Sequence, residues 1–191
     1  MYISLGGNCS ITYQLNKYNL RNEACPLDWA KIKINQLINI LENNFNNYAE
    51  SLQIKEYSDS HQSYIITNHY SVQFAHELVN IDKSDELNDF KDKIKKRIIR
   101  FKNLSNNLIN KIIFIRIELQ PIKSNYIDNI IKLVKLIRNY CSNFILKILI
   151  ETNSYNTIFQ EKLECVEFIK FDSYSEDWKM DHINWEKIFA S

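Results

Sequence analysis

The chain has 191 residues, of which 45% are hydrophobic and 25% are charged, and its formal net charge is +1. This length favours a single domain with a core that needs no disulfide or metal to fold. The nearly balanced charge gives no reason to expect a nucleic acid or a membrane surface as a partner.

The four cysteines form no CxxC pair and no disulfide-dense spacing. Histidines and cysteines do not recur at the short spacings of zinc sites, so we expect neither a metal nor another cofactor. The N-terminus lacks a charged segment followed by a long apolar core, and no apolar run is long enough to span a bilayer. We therefore expect a cytoplasmic protein with free thiols.

The first half of the chain alternates short apolar runs with helical periodicity. A strand over residues 2–5 ends at Gly6-Gly7, and Asn8 stands where a helix N-cap belongs. The remaining predicted elements are a helix over 9–20, a helix over 33–46, a surface loop over 47–61, strands over 62–67 and 70–74, and a helix over 84–109.

The second half predicts a βαβ unit. Two β-branched runs, 111–119 and 143–151, flank a helix over 125–141, which favours a right-handed parallel crossover. A further strand follows at 165–171, and the last residues close over the core. Together these elements predict one α/β domain over residues 1–191, a three-layer α/β/α arrangement with a mostly parallel sheet.

Both glycines of the chain stand directly before Asn8 and Cys9. A cysteine in the first turn of a helix faces unpaired N–H groups and the positive helix end, which lower a thiol pKa. The same N–H groups, with the Asn8 side chain, can form an oxyanion hole. The spacing equally fits a tight turn before a buried, unreactive cysteine, and it leaves both interpretations open.

A cysteine nucleophile needs a base, and His76 follows an apolar run at a predicted strand end. Asp28, within CPLDW, can orient that histidine as the third member of a triad. The alternatives are a surface histidine and a turn-capping aspartate beside Trp29 as a core anchor. The residues alone do not decide between these roles.

Arginines offer a rival chemistry. Arg116 lies inside an apolar strand and needs Glu118, Asp28 or an anionic ligand as its partner. With Arg97 or Arg100 it can neutralise a phosphate or sugar ligand held on the glycine turn of a hydrolase or transferase. A non-catalytic binding module with an enzyme-like fold is the other alternative.

Several short motifs recur in the order of a known family. The chain resembles the putative papain-like cysteine peptidases, whose pattern contains S-L-G-x-x-C, an arginine, P-F-D-W, F-x-H-D, R-x-x-R-F and a strand with F-x-R. The matching pieces lie within residues 3–118 and are SLGGNC, Arg21, CPLDW, VQFAHE, KRIIRF and IIFIRIE.

The resemblance implies that Cys9 is the nucleophile, His76 its general base and Asp28 their polar partner. It also implies a helical part that carries the cysteine and an antiparallel β part that carries the histidine. Leu27 replaces the phenylalanine of the family's P-F-D-W motif, and Glu77 replaces the aspartate that follows the histidine in its F-x-H-D motif.

The leading hypothesis is a cysteine-dependent hydrolase or acyl-transfer enzyme acting on a peptide or another small acyl or glycan substrate. Residues expected to bind the oxyanion or the ligand are Gly6, Gly7, Asn8, Ser10, Arg21, Arg100 and Arg116.

Overall fold

The structure is a computed structural model, and it describes residues 1–79, 84–106, 111–119, 122, 124–152, 163–172 and 177–190. These residues form a mixed α/β fold with one parallel and one antiparallel sheet, each of four strands. The strands are β1 (Tyr2–Ser4), β2 (Ala30–Lys31), β3 (Gln53–Ser58), β4 (Ser63–Thr67), β5 (Gln73–Leu78), β6 (Ile112–Glu118), β7 (Phe144–Glu151) and β8 (Val166–Phe171). The helices are α1 (Ser10–Lys17), α2 (Ile34–Glu42), α3 (Ser84–Lys102), α4 (Tyr126–Arg138) and α5 (Trp185–Ala190), and a 3-10 turn (Asn103–Asn106) follows α3.

The parallel sheet has the order β1-β6-β7-β8 and is apolar on both faces. Successive side chains of β6 point to opposite sides, so Phe114 enters one core cluster while Ile115 and Ile117 enter another. The first cluster includes residues of α2, α3, α4 and the antiparallel sheet, and the second includes residues of α1 and α5. The predicted βαβ unit is confirmed, because β6 and β7 pair in parallel on either side of α4 in the chain.

The antiparallel sheet, of order β2-β5-β4-β3, corrects the prediction of a mostly parallel sheet. The predicted loop over 47–61 contains β3, and the strand predicted at 70–74 begins later and extends through His76. Five of the six residues of β3 are exposed, so this strand lacks the apolar alternation by which it could be recognised.

The predicted helices are all present, but they are shorter than their patterns. The helix predicted over 84–109 is α3 as far as Lys102, and a 3-10 turn follows it. Residues 107–110 lie outside the described ranges. No helix within the described residues is long and apolar enough to cross a membrane.

Arg116 joins the two sheets through a guanidinium that is fully buried. It donates to the carbonyl of Leu5 at 3.2 Å, directly after β1, and to the carbonyl of Ile32 at 3.0 Å, directly after β2. Its Nε donates to Glu118 at 2.5 Å. Of the partners predicted for Arg116, the structure therefore selects Glu118.

The turn at Gly6 and Gly7 requires glycine because of both its backbone angles and the lack of room for a Cβ atom. Gly6 and Gly7 have φ angles of +73° and +102°, which side chains with a Cβ rarely adopt. A Cβ on Gly7 would lie 2.1 Å from the carbonyl oxygen of Ile117, and one on Gly6 would lie 2.4 Å from a methyl group of Ile32. The turn that precedes Cys9 therefore packs against both β6 and the segment after β2.

We expect Arg116→Lys to lower the free energy of unfolding by about 2–4 kcal/mol in urea titrations. A lysine keeps the charge but cannot reach two carbonyls and a carboxylate at once. The matched control is Arg138→Lys, because Arg138 is half exposed and bonds Glu164 at the surface. This control should change stability by about 0.5 kcal/mol or less; equal effects of the two variants would contradict the role of Arg116.

We expect Gly7→Ala to cost about 2–4 kcal/mol of unfolding free energy, because it combines an unfavourable φ with a backbone clash. Gly6→Ala should cost less, since its closest obstacle is a side-chain methyl group that can shift. Urea titration of both variants gives the order, and the reverse order would contradict this account of the turn.

Candidate active site

A cleft of about 740 Å³ is lined by Cys9 and His76, two of the three side chains predicted to be catalytic; the third, Asp28, is not in its lining. Its walls come from the glycine turn, the segment between β2 and α2, β5, the end of β6, the start of α4 and Trp178. Cys9 enters from the side of the parallel sheet and His76 from the antiparallel sheet. The two sheets thus contribute one predicted reactive group each.

Cys9 is the N-cap residue of α1 and is half-buried. Its thiol donates to the carbonyl oxygen of Trp29, with a sulfur–oxygen distance of 3.4 Å. Burial raises the pKa of Cys9 to about 11, although its own backbone N–H and the charge of Lys31 oppose this rise. The sequence predicted a lowered pKa from the helix N-terminus; desolvation is the larger effect, and it favours the neutral thiol.

His76 projects from β5 beside aromatic rings and is exposed. Its ring centroid lies 5.8 Å from that of Trp29, 5.4 Å from that of Trp178 and 5.1 Å from that of His61. Desolvation lowers the pKa of His76, His61 lowers it further, and Glu77 opposes both. The imidazole is therefore held in the neutral form, which a general base requires.

Trp29 links the two groups, and its role was not predicted. Its carbonyl accepts the Cys9 thiol, and its ring meets the edge of His76. A φ of 60° allows this backbone to turn its carbonyl toward α1 while its N–H donates to the hydroxyl oxygen of Thr12 at 3.2 Å. The sequence treated Trp29 as a core anchor, since no local pattern shows which groups a side chain meets in the fold.

Asp28 lies behind the cleft, where it is 2% exposed. One carboxylate oxygen accepts from the backbone N–H of Cys25 at 2.7 Å and from Nε of Arg21 at 2.9 Å; the other accepts from the Thr12 hydroxyl at 3.4 Å. Among the residues that the structure describes, Asp28 makes no bond to His76. These bonds of Asp28, including the one from Arg21, stabilise the turn that contains Trp29.

The predicted oxyanion donors divide into engaged and available groups. The N–H of Ser10 donates to the Asn8 side chain at 2.8 Å, and the N–H of Gly6 donates to the Ser4 hydroxyl at 3.1 Å. Neither is free to bind a substrate oxygen. In the described part of the chain, the N–H groups of Gly7 and Asn8 have no partner, and both residues line the cleft.

The arginines are not among the residues that line this cleft. Arg116 is fully buried, and its donors are used within the protein as described above. Arg97 is 9% exposed, and its guanidinium lies 3.5 Å from the carboxylate of Glu77. Arg100 lines a separate cavity of about 370 Å³ together with Cys25. The rival phosphate or sugar site built on arginines therefore gains no support from the geometry.

Within the described ranges, no group of three or more His, Cys, Asp or Glu residues is placed to hold a metal ion. The described lining of the cleft contains one thiol, that of Cys9, and two imidazoles, those of His61 and His76.

We expect the Cys9 thiolate to be absent at neutral pH and to appear only with a midpoint near pH 11, since burial disfavours the charged form. The ultraviolet absorbance of the thiolate, taken as the difference between wild type and Cys9→Ser during a pH titration, measures it while tyrosine ionisation cancels. A thiolate already formed below pH 7 would contradict a neutral resting thiol.

The comparisons with known proteins give the same family that the sequence resembles. A family model described as "Putative papain-like cysteine peptidase" matches residues 1–154, which include Cys9, Trp29 and His76. An uncharacterized protein of Acanthamoeba polyphaga mimivirus is 30% identical over 218 aligned residues, which cover 100% of this chain and 97% of that protein. No solved structure gives a significant match. Because the family model spans most of the sequence, this chain belongs to the family of putative papain-like cysteine peptidases.

Proposed function

We propose that this protein is a cysteine-dependent hydrolase or acyl-transfer enzyme in which Cys9 is the nucleophile and His76 is the general base. The observation that carries the proposal is the placement of both side chains on one cleft, with Trp29 in contact with each. Family membership points to the same chemistry.

The reaction begins when a substrate carbonyl enters the cleft. Neutral His76 takes the thiol proton as the Cys9 sulfur bonds to the carbonyl carbon, and the electron pair of the carbonyl moves to its oxygen. The N–H groups of Gly7 and Asn8 stabilise that oxyanion. His76 then gives the proton to the leaving group, and an acyl-cysteine remains.

The acyl group leaves by the same proton path in reverse. His76 takes a proton from water, whose oxygen attacks the thioester carbonyl, and the carbon–sulfur bond breaks. The sulfur recovers the proton from His76, and the carboxylic acid is released. In an acyl transfer, another nucleophile such as an amine or alcohol takes the place of water.

The pKa directions favour proton transfer during attack over a preformed thiolate–imidazolium pair. Burial raises the pKa of Cys9, whereas desolvation and His61 lower the pKa of His76. Both shifts leave the proton on sulfur in the resting site. Attack then requires the thiol to leave the carbonyl of Trp29 and turn toward the imidazole.

We expect His76→Ala to slow acylation of Cys9 by p-nitrophenyl acetate by about 10²–10⁴-fold, the usual contribution of a general base. Release of p-nitrophenolate gives the rate, and peptide mass spectrometry locates the acetyl group. Cys9→Ser should remove the modification from that peptide. In wild type the rate should fall on the acid side with a midpoint below 6.5, because the folded environment lowers the pKa of His76.

The matched control is His69→Ala. His69 lies outside the cleft lining, and its ring bonds the Ser51 hydroxyl at 2.7 Å, so its loss should leave the acylation rate unchanged. Equal rates in His76→Ala, His69→Ala and wild type would show that His76 is not the base.

A further inference from the structure

The charge of the cleft indicates what kind of substrate it accepts, if the proposed chemistry holds. We infer that the acyl substrates of this protein carry an anionic group, a carboxylate or a phosphate, which Lys31 and Lys33 bind beside Cys9. This inference rests on the proposed function and names the substrate class of the same site.

The backbone directs the side chains of Lys31 and Lys33 to the same side of an extended segment. Lys31 belongs to β2 and pairs with Gln73 of β5, while Lys33 is extended with φ −80° and ψ 155°. Alternate residues of an extended segment point to opposite sides, so Ile32 is buried against Gly6 while both lysines are exposed. Both lysines line the cleft.

The lining leaves this positive charge uncompensated. Neither lysine has an ion pair with any described residue. The carboxylate in the described lining is that of Glu118, which accepts Nε of Arg116 at 2.5 Å and the hydroxyl of Tyr126 at 3.2 Å. Its charge is matched by a buried cation, so the cleft favours anions although the whole chain is nearly neutral.

The N-terminal ends of three helices add further positive charge to the same cleft. Residues at the starts of α1, α2 and α4 line the cleft, namely Asn8 and Cys9, Ile34 to Gln36, and Asn125 to Tyr126. The N-terminal end of a helix carries partial positive charge, so these three ends reinforce the field of the lysines.

Lys31 lies close to the thiol of Cys9 in this cleft. The charge of Lys31 is close enough to Cys9 to favour its thiolate. Ile32, between the lysines, packs on the glycine turn that carries Cys9. An anionic group held by Lys31 and Lys33 therefore lies next to the sulfur, and the carbonyl that is attacked must be close to that group.

The test compares two alkylating reagents of similar size on the same thiol. Iodoacetate is anionic and iodoacetamide is neutral, and each reacts with the thiolate by displacing iodide. The ratio of their rates at Cys9 cancels the thiolate fraction, which is small because of the raised pKa. Peptide mass spectrometry separates Cys9 from the other cysteines, and the ratio for N-acetylcysteine is the reference.

We expect the iodoacetate to iodoacetamide ratio at Cys9 to exceed that of N-acetylcysteine. It should fall about two- to fivefold in Lys31→Gln and again in Lys33→Gln, as expected for single charges at short range in water, and it should shrink at high salt. The control is Lys135→Gln, an exposed lysine in the last turn of α4, which should leave the ratio unchanged. A ratio equal to the reference in wild type and unaltered in both cleft variants would overturn the inference.

Protection assays distinguish the two sources of negative charge. Succinate that slows iodoacetamide labelling of Cys9 more than inorganic phosphate does, in wild type but not in Lys31→Gln, indicates a carboxylate, and the converse indicates a phosphate. Protection by neither would count against the inference. Because labelling needs no catalysis, the result stands apart from the His76→Ala acylation assay, and each idea can fail alone.

Discussion

The buried guanidinium of Arg116 is the contact on which the site depends. It binds the carbonyl of Leu5, after which the glycine turn and Cys9 follow, and the carbonyl of Ile32, on either side of which Lys31 and Lys33 stand. One side chain thereby connects the turn before Cys9 to the segment of the other sheet that carries the two lysines. Its third bond goes to Glu118, whose carboxylate lines the cleft and also accepts the hydroxyl of Tyr126. The cost of burying a charge is offset by three well-placed acceptors.

A second, smaller network holds the other side of the thiol. Arg21 pairs with buried Asp28, Asp28 accepts the Thr12 hydroxyl, Thr12 accepts the N–H of Trp29, and Trp29 accepts the thiol of Cys9. Each member takes its position from its neighbour, so the CPLDW segment contributes to Cys9 without containing a group that reacts.

Prediction from the sequence succeeded where a residue's role depends on its neighbours in the chain. The apolar runs of β6 and β7 and the glycines before Cys9 have local causes, and the ordered motifs pointed to the family to which the chain belongs. Local patterns could not show β3, which is exposed along most of its length, or β2, which has two residues. Lys31 and Lys33 look like any solvated pair until the fold places them in the same cleft as the thiol. The predicted pKa direction of Cys9 was wrong because the burial of its thiol is a property of the tertiary structure.

In the proposed mechanism, the net charge around the thiol comes from groups other than the Cys9–His76 pair. A neutral thiol with a neutral imidazole has no net charge, and neither has a thiolate–imidazolium pair. Lys31, Lys33 and the helix ends would therefore supply the positive charge that meets a substrate anion and the developing oxyanion. Protonation of His76 would add to this attraction while removing the base. On this mechanism, substrate binding and catalysis are expected to change in opposite directions as the pH falls through the lowered pKa of His76.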